Sequence, residues 1–148
     1  MSKLILAATF MICIFGQGQA QAAELDPSNL VGEYKVQADL GFQKYYLNFH
    51  VINTQEFEMQ RTYPNGQVDE ICNGTYNMNS QLLWTFTALT TSHVFKGRGS
   101  CPSNRSHQVD FNIDFKNKTT EDLVNGTTVA ITTSLAPGYV INSYFKRK

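Results

Sequence analysis

The sequence predicts an all-β fold: an antiparallel up-and-down β-barrel of about eight to nine strands, with a β-sandwich as the alternative. Apolar side chains recur at every second position in short runs. The clearest is Val109, Phe111, Ile113 and Phe115 against Asp110, Asn112, Asp114 and Lys116. This alternation belongs to strands with one face buried and one face wet. Turn chemistry separates the runs, most plainly at Pro64-Asn65-Gly66 and Pro137-Gly138, where Asn and Gly tolerate positive φ. No window of about 12 residues keeps a 3.6-residue period, and no repeat of roughly 20–50 residues suggests a solenoid or propeller. A meander with this many strands protects its edges by closing on itself.

The chain has 148 residues, with 12 basic and 12 acidic side chains and a formal net charge of zero. That balance argues against a nucleic-acid binder driven by counterion release and against a basic membrane-surface protein. Hydrophobic residues make up 42% and charged residues 16%, enough apolar material for one packed domain.

Lys3, the apolar run Leu4 to Phe15 and the small-x-small site Ala20-Gln21-Ala22 read as a secretory signal peptide over residues 1–22. The run is too short to span a bilayer, which needs about 20 apolar residues. A single barrel domain is expected over 23–148, in a secreted or periplasmic protein with no membrane span.

Strands are expected at about 30–36, 45–52, 56–63, 68–78, 82–88, 93–97, 107–116, 123–134 and 139–146. A helical turn fits between Ala23 and Leu30, after Asp26-Pro27. Asn77 to Gln81 reads as a short turn, Asn117 to Asp122 as a charged turn, and Gly97 to Ser106 as a longer loop containing Gly97, Gly99 and Pro102. With Cys13 removed in the leader, Cys72 and Cys101 remain, and an oxidising compartment favours a disulfide between them. Closing that loop stabilises by roughly 3–4 kcal/mol in the chain-entropy model. His50, His93 and His107 are scattered and no CxxC or HxxxH spacing occurs, so no metal site is expected.

Val31-Gly32-Glu33-Tyr34 at the first strand resembles the G-x-W motif that opens lipocalins and their calycin relatives. In that family the aromatic plugs the closed end of the barrel, and a basic residue from the last strand, or just after it, packs over the ring. The resemblance implies that Tyr34 plays the aromatic part and Lys146 or Arg147 the basic one. Tyr stands here where the family has Trp, and the other lipocalin signatures are absent.

A barrel of this size is either filled by its own side chains or holds one small ligand. The expected interior contains Tyr45, Leu47, Phe49, Phe57, Met59, Tyr63, Trp84, Phe86, Phe111 and Phe115, apolar walls suited to a small molecule or simply to packing on one another. Arg61 shares the parity of Phe57 and Met59, so unbroken alternation aims it inward. A buried guanidinium needs a partner, either Glu70 or a ligand carboxylate. Alternatively, Arg61 reaches water at the strand end, or a bulge turns it outward.

No catalytic residues are assigned: no nucleophile motif is present, and the adjacent Asp69 and Glu70 would point to opposite faces. The partner implied is therefore a small hydrophobic or amphiphilic molecule bound in the barrel, with no cofactor and no nucleic acid. The competing reading is an interaction protein, such as an inhibitor of an extracytoplasmic hydrolase, acting through the 97–106 loop with Arg98 and Arg105.

Overall fold

Eight strands close into one antiparallel barrel in which each strand pairs with its sequence neighbours and the last pairs with the first. The structure is a computed structural model that describes residues 24–84 and 89–148. The strands are β1 (Gly32–Asp39), β2 (Lys44–Val51), β3 (Glu56–Thr62), β4 (Cys72–Trp84), β5 (Leu89–Ser100), β6 (Val109–Asp114), β7 (Thr127–Thr133) and β8 (Ile141–Arg147). A 3-10 turn, Pro102–Asn104, follows β5, and a short helix, α1 (Thr120–Asn125), precedes β7. Closure by β1 on β8 rules out the sandwich. The expected signal peptide and Phe86 lie outside the described residues.

Alternation places Tyr34, Val36, Phe49, Val51, Phe57, Phe95, Ile113, Val129 and Phe145 in one buried core. Its centre is a set of rings. Phe49 lies 5.3 Å from Phe57, 5.6 Å from Phe95 and 6.0 Å from Phe145, centroid to centroid, and Phe111 lies 5.3 Å from Phe57. Tyr76 stacks on Phe95 at 4.2 Å. Such contacts add about 0.5–1.5 kcal/mol each beyond the area they bury.

Glycines make room for these rings. A Cβ on Gly74 would lie 2.3 Å from Phe57 Cζ, and one on Gly97 would lie 2.6 Å from Phe111 Cζ. The glycines expected to mark a loop at 97–99 are therefore strand residues, and β5 runs on to Ser100. The turn expected at Asn77–Gln81 is likewise absent. β4 continues through it, paired with β5 from Asn73↔Ser100 to Trp84↔Leu89. Asn77 and Asn79 sit at outward-facing, exposed positions of that hairpin, while Met78 between them packs against the core.

The expected strand 123–134 starts instead as α1. Thr119 and Asp122 form a reciprocal capping box, and Leu123 is buried on the core side. At the same end, Leu25 and Leu30 from the segment before β1 are buried, with Leu30 N donating to Asp26 O at 3.1 Å. One end of the barrel is thereby covered.

Candidate functional site

At the covered end, Tyr34 is buried and its hydroxyl donates to Leu30 O. Burial holds that hydroxyl above the ordinary tyrosine pKa, partly offset by Arg147. The Arg147 guanidinium lies 5.6 Å from the Tyr34 ring centroid and donates to the carbonyls of Asn29 and Val31. Lys146 is exposed on the outer face, because neighbouring residues of β8 point to opposite sides. Of the two basic candidates, Arg147 is the one that lies over the ring.

The opposite end is different. Leu47 pairs with Val36 on one side and Arg61 on the other, and Met59 pairs with Cys72. Leu47, Met59, Arg61 and Cys72, with Asp69, Glu70 and Cys101, surround an open cavity of about 540 Å³. The Cys72–Cys101 disulfide is formed and ties the start of β4 to the end of β5 on the cavity wall.

Arg61 is the cation of this mouth. Its guanidinium carbon lies 4.5 Å from the Tyr45 ring centroid and 4.4 Å from that of Tyr63, so two rings hold it. Each such contact contributes about 0.5–2 kcal/mol, more where water is excluded. Tyr63 is itself held, its hydroxyl lying 3.0 and 3.1 Å from the Asp69 carboxylate oxygens. That hydrogen bond pushes the Tyr63 hydroxyl above its ordinary pKa.

The ion pairs among the described residues are His50–Glu58, His93–Glu24, Arg98–Asp110 and Lys148–Glu33, and none involves Arg61. Glu70 lines the same cavity but turns to the 3-10 turn, where it accepts from the Ser103 backbone N–H at 2.9 Å and from the Ser103 hydroxyl. Arg61 and Glu70 thus share a cavity without pairing.

The remaining expected residues separate into groups. Tyr45, Met59, Arg61, Tyr63 and Glu70 gather at the mouth. Phe49, Phe57 and Phe111 form the ring cluster beneath it. Trp84 ends the strand that Cys72 begins, roughly 40 Å further along at about 3.3 Å per residue, and its side chain is outside the described set. Arg98 is on the outer face of β5, bound to both carboxylate oxygens of Asp110, and Arg105 is exposed after the 3-10 turn. Asp69 and Leu47 complete the mouth. Leu47 was legible from its alternation with Tyr45 and Phe49, whereas the role of Asp69 depends on how the β3–β4 connection folds back, with Asp69 N donating to Arg61 O.

Fold and site together define a small antiparallel β-barrel, plugged by aromatic rings, covered at one end and open at the other at a mouth that holds Arg61 beside Asp69 and Glu70. No protein-family model, curated protein or solved structure matches the chain. No helix among the described residues is long and apolar enough to cross a membrane.

Proposed function

We propose that this chain is an exported, lipocalin-like carrier that binds a small amphiphilic acid at the barrel mouth, with Arg61 as the anchor for the acid. One observation carries the reading: a guanidinium held between two tyrosine rings, facing a cavity of about 540 Å³, with no ion-pair partner among the described residues. A planar guanidinium in a fixed orientation is suited to a carboxylate, which it meets with two parallel N–H···O bonds. The cavity volume lies in the range of small-molecule sites.

Leu47, Met59 and the disulfide supply an apolar wall for the ligand's body. The rings below fill the barrel, so the body lies in the mouth and does not thread the axis. The Gly32-x-Tyr34 motif with Arg147 over the ring supports the lipocalin-like part of the reading. The disulfide supports export, because such bonds persist in oxidising compartments.

Native mass spectrometry of the protein purified without detergent tests this reading. A retained small acid that is lost from Arg61→Met is the expected result. A neutral retained molecule, or equal retention by Arg61→Met, contradicts it.

A further inference from the structure

We infer that the outer face of β8, β1 and β2 carries a second binding site, for an acidic saccharide. Its cleft lies on the outer face, although Leu47 and Tyr63 of the mouth also border it. Two cross-strand rows build it. Lys35 sits directly opposite Lys146 on one side and Asn48 on the other, and in the next row Gln37 sits between Tyr144 and Tyr46. These side chains, with Thr62 and Pro64, bound a cleft of about 560 Å³.

The lysine pair is the feature that calls for a ligand. Like charges directly opposite on one sheet face are destabilising, and neither lysine has an ion-pair partner among the described residues. The nearest carboxylate along β1 on this face, Glu33, is engaged by Lys148 at 3.0 Å. The net-neutral chain thus keeps two uncompensated cations side by side, where one carboxylate or sulfate can meet both.

The neighbouring row gives the class of molecule. Tyr46 and Tyr144 are about 40% exposed on either side of Gln37, the Tyr144 hydroxyl donating to Asn125 O at 3.5 Å. Across two strand spacings they stand roughly 10 Å apart, a separation that a sugar unit bridges with its C–H faces against the rings. The Gln37 amide can meet sugar hydroxyls. The Asn48 amide nitrogen donates to Thr62 Oγ1 at 3.2 Å, beside the lysine row. Charge on one row and rings with an amide on the next fit an anionic sugar better than a bare anion.

The test is calorimetric titration of the full chain with three probes: a galacturonate oligosaccharide, a sulfated oligosaccharide of equal length and inorganic polyphosphate of matched charge. Binding of one or both saccharides is expected, with polyphosphate weaker by at least tenfold. Which saccharide binds more tightly separates a carboxylate source from a sulfate source. Lys35→Gln with Lys146→Gln should weaken saccharide binding at least tenfold. Tyr46→Ala should weaken saccharide binding while leaving polyphosphate unchanged. All these side chains are exposed, so unchanged thermal melts check that the variants fold. Failure of both saccharides to bind the wild-type chain, saccharide affinity unchanged in the lysine variant, or polyphosphate binding as tightly as the sugars overturns the inference.

Discussion

The side chain of Arg147 occupies the space that a side chain at position 32 would need. A Cβ on Gly32 would lie 2.9 Å from Arg147 Nε and 3.0 Å from Nη2, and Gly32 has φ of +148°. From that position the guanidinium reaches over Tyr34 and binds the carbonyls of the segment that covers the barrel end. The glycine, the aromatic two residues later and the basic residue on the last strand are therefore one mechanical unit. Gly32→Ala should destabilise the fold by about 1–3 kcal/mol through backbone strain and overpacking, read as a lower urea midpoint at unchanged slope. A neutral result would mean that Arg147 does not pack there.

A second prediction concerns the ring-filled interior. Gly74→Ala places a methyl 2.3 Å from Phe57 Cζ and 2.5 Å from Arg98 O. A well-packed core pays about 1–3 kcal/mol for such an insertion. Phe57→Leu should lose less stability in the Gly74→Ala background than alone, and a double-mutant cycle measures the difference. Strict additivity would contradict the packing described.

Ser143 supplies a test in the stabilising direction. Its side chain is buried, and among the described residues its hydroxyl has no hydrogen-bond partner. An unmet buried hydroxyl costs about 1–3 kcal/mol. Ser143→Ala should therefore raise the denaturation midpoint, and a clear loss of stability would show that the hydroxyl is satisfied.

Acid should weaken the fold in a defined way. Asp122 is held below the ordinary carboxylate range by the Thr119 backbone N–H and then by the Thr119 hydroxyl, and Asp26 by the Ser28 hydroxyl and then the Asn29 N–H. Lys148 lowers Glu33 and Arg98 lowers Asp110 by hydrogen bonding. A carboxylate whose pKa is depressed on folding binds protons more readily in the unfolded chain. Its contribution is present above the unfolded value of about 4 and is lost as pH falls below it. The melting temperature should fall from about pH 5 toward pH 2, and Asp122→Asn should make the fall shallower. An identical profile for the variant would remove Asp122 from the account.

Much of this arrangement was legible from alternation alone, and what was not has physical reasons. Parity correctly put Phe49 and Phe57 in the core, because a period of two cannot be displaced by one residue without exposing every ring. It misread Gly97 and Gly99 as loop residues, since a glycine that yields space to a distant ring looks the same as one that permits a turn. The polar Asn77–Gln81 stretch imitated a turn because both it and a wet strand face favour asparagine. α1 is only six residues long, too short to show a helical period, and its Thr119–Asp122 capping box was the available signal. At the mouth, the inward aim of Arg61 could be read from parity. The turning of Glu70 to Ser103 could not, because those residues meet only through the 3-10 turn after the disulfide.

The mouth reading is tested most directly by titrating the protein at neutral pH with octanoate and with octanol, which share a chain length and differ in charge. A charge-assisted hydrogen bond contributes about 1.5–3 kcal/mol, which corresponds to roughly 10- to 100-fold in affinity. Octanoate should bind the wild-type chain more tightly than octanol by about that factor, and Arg61→Met should erase the difference while leaving the melting temperature within a few degrees. Equal affinity for the acid and the alcohol, or a preference for the acid that survives in Arg61→Met, would contradict the assignment of Arg61 as the anchor.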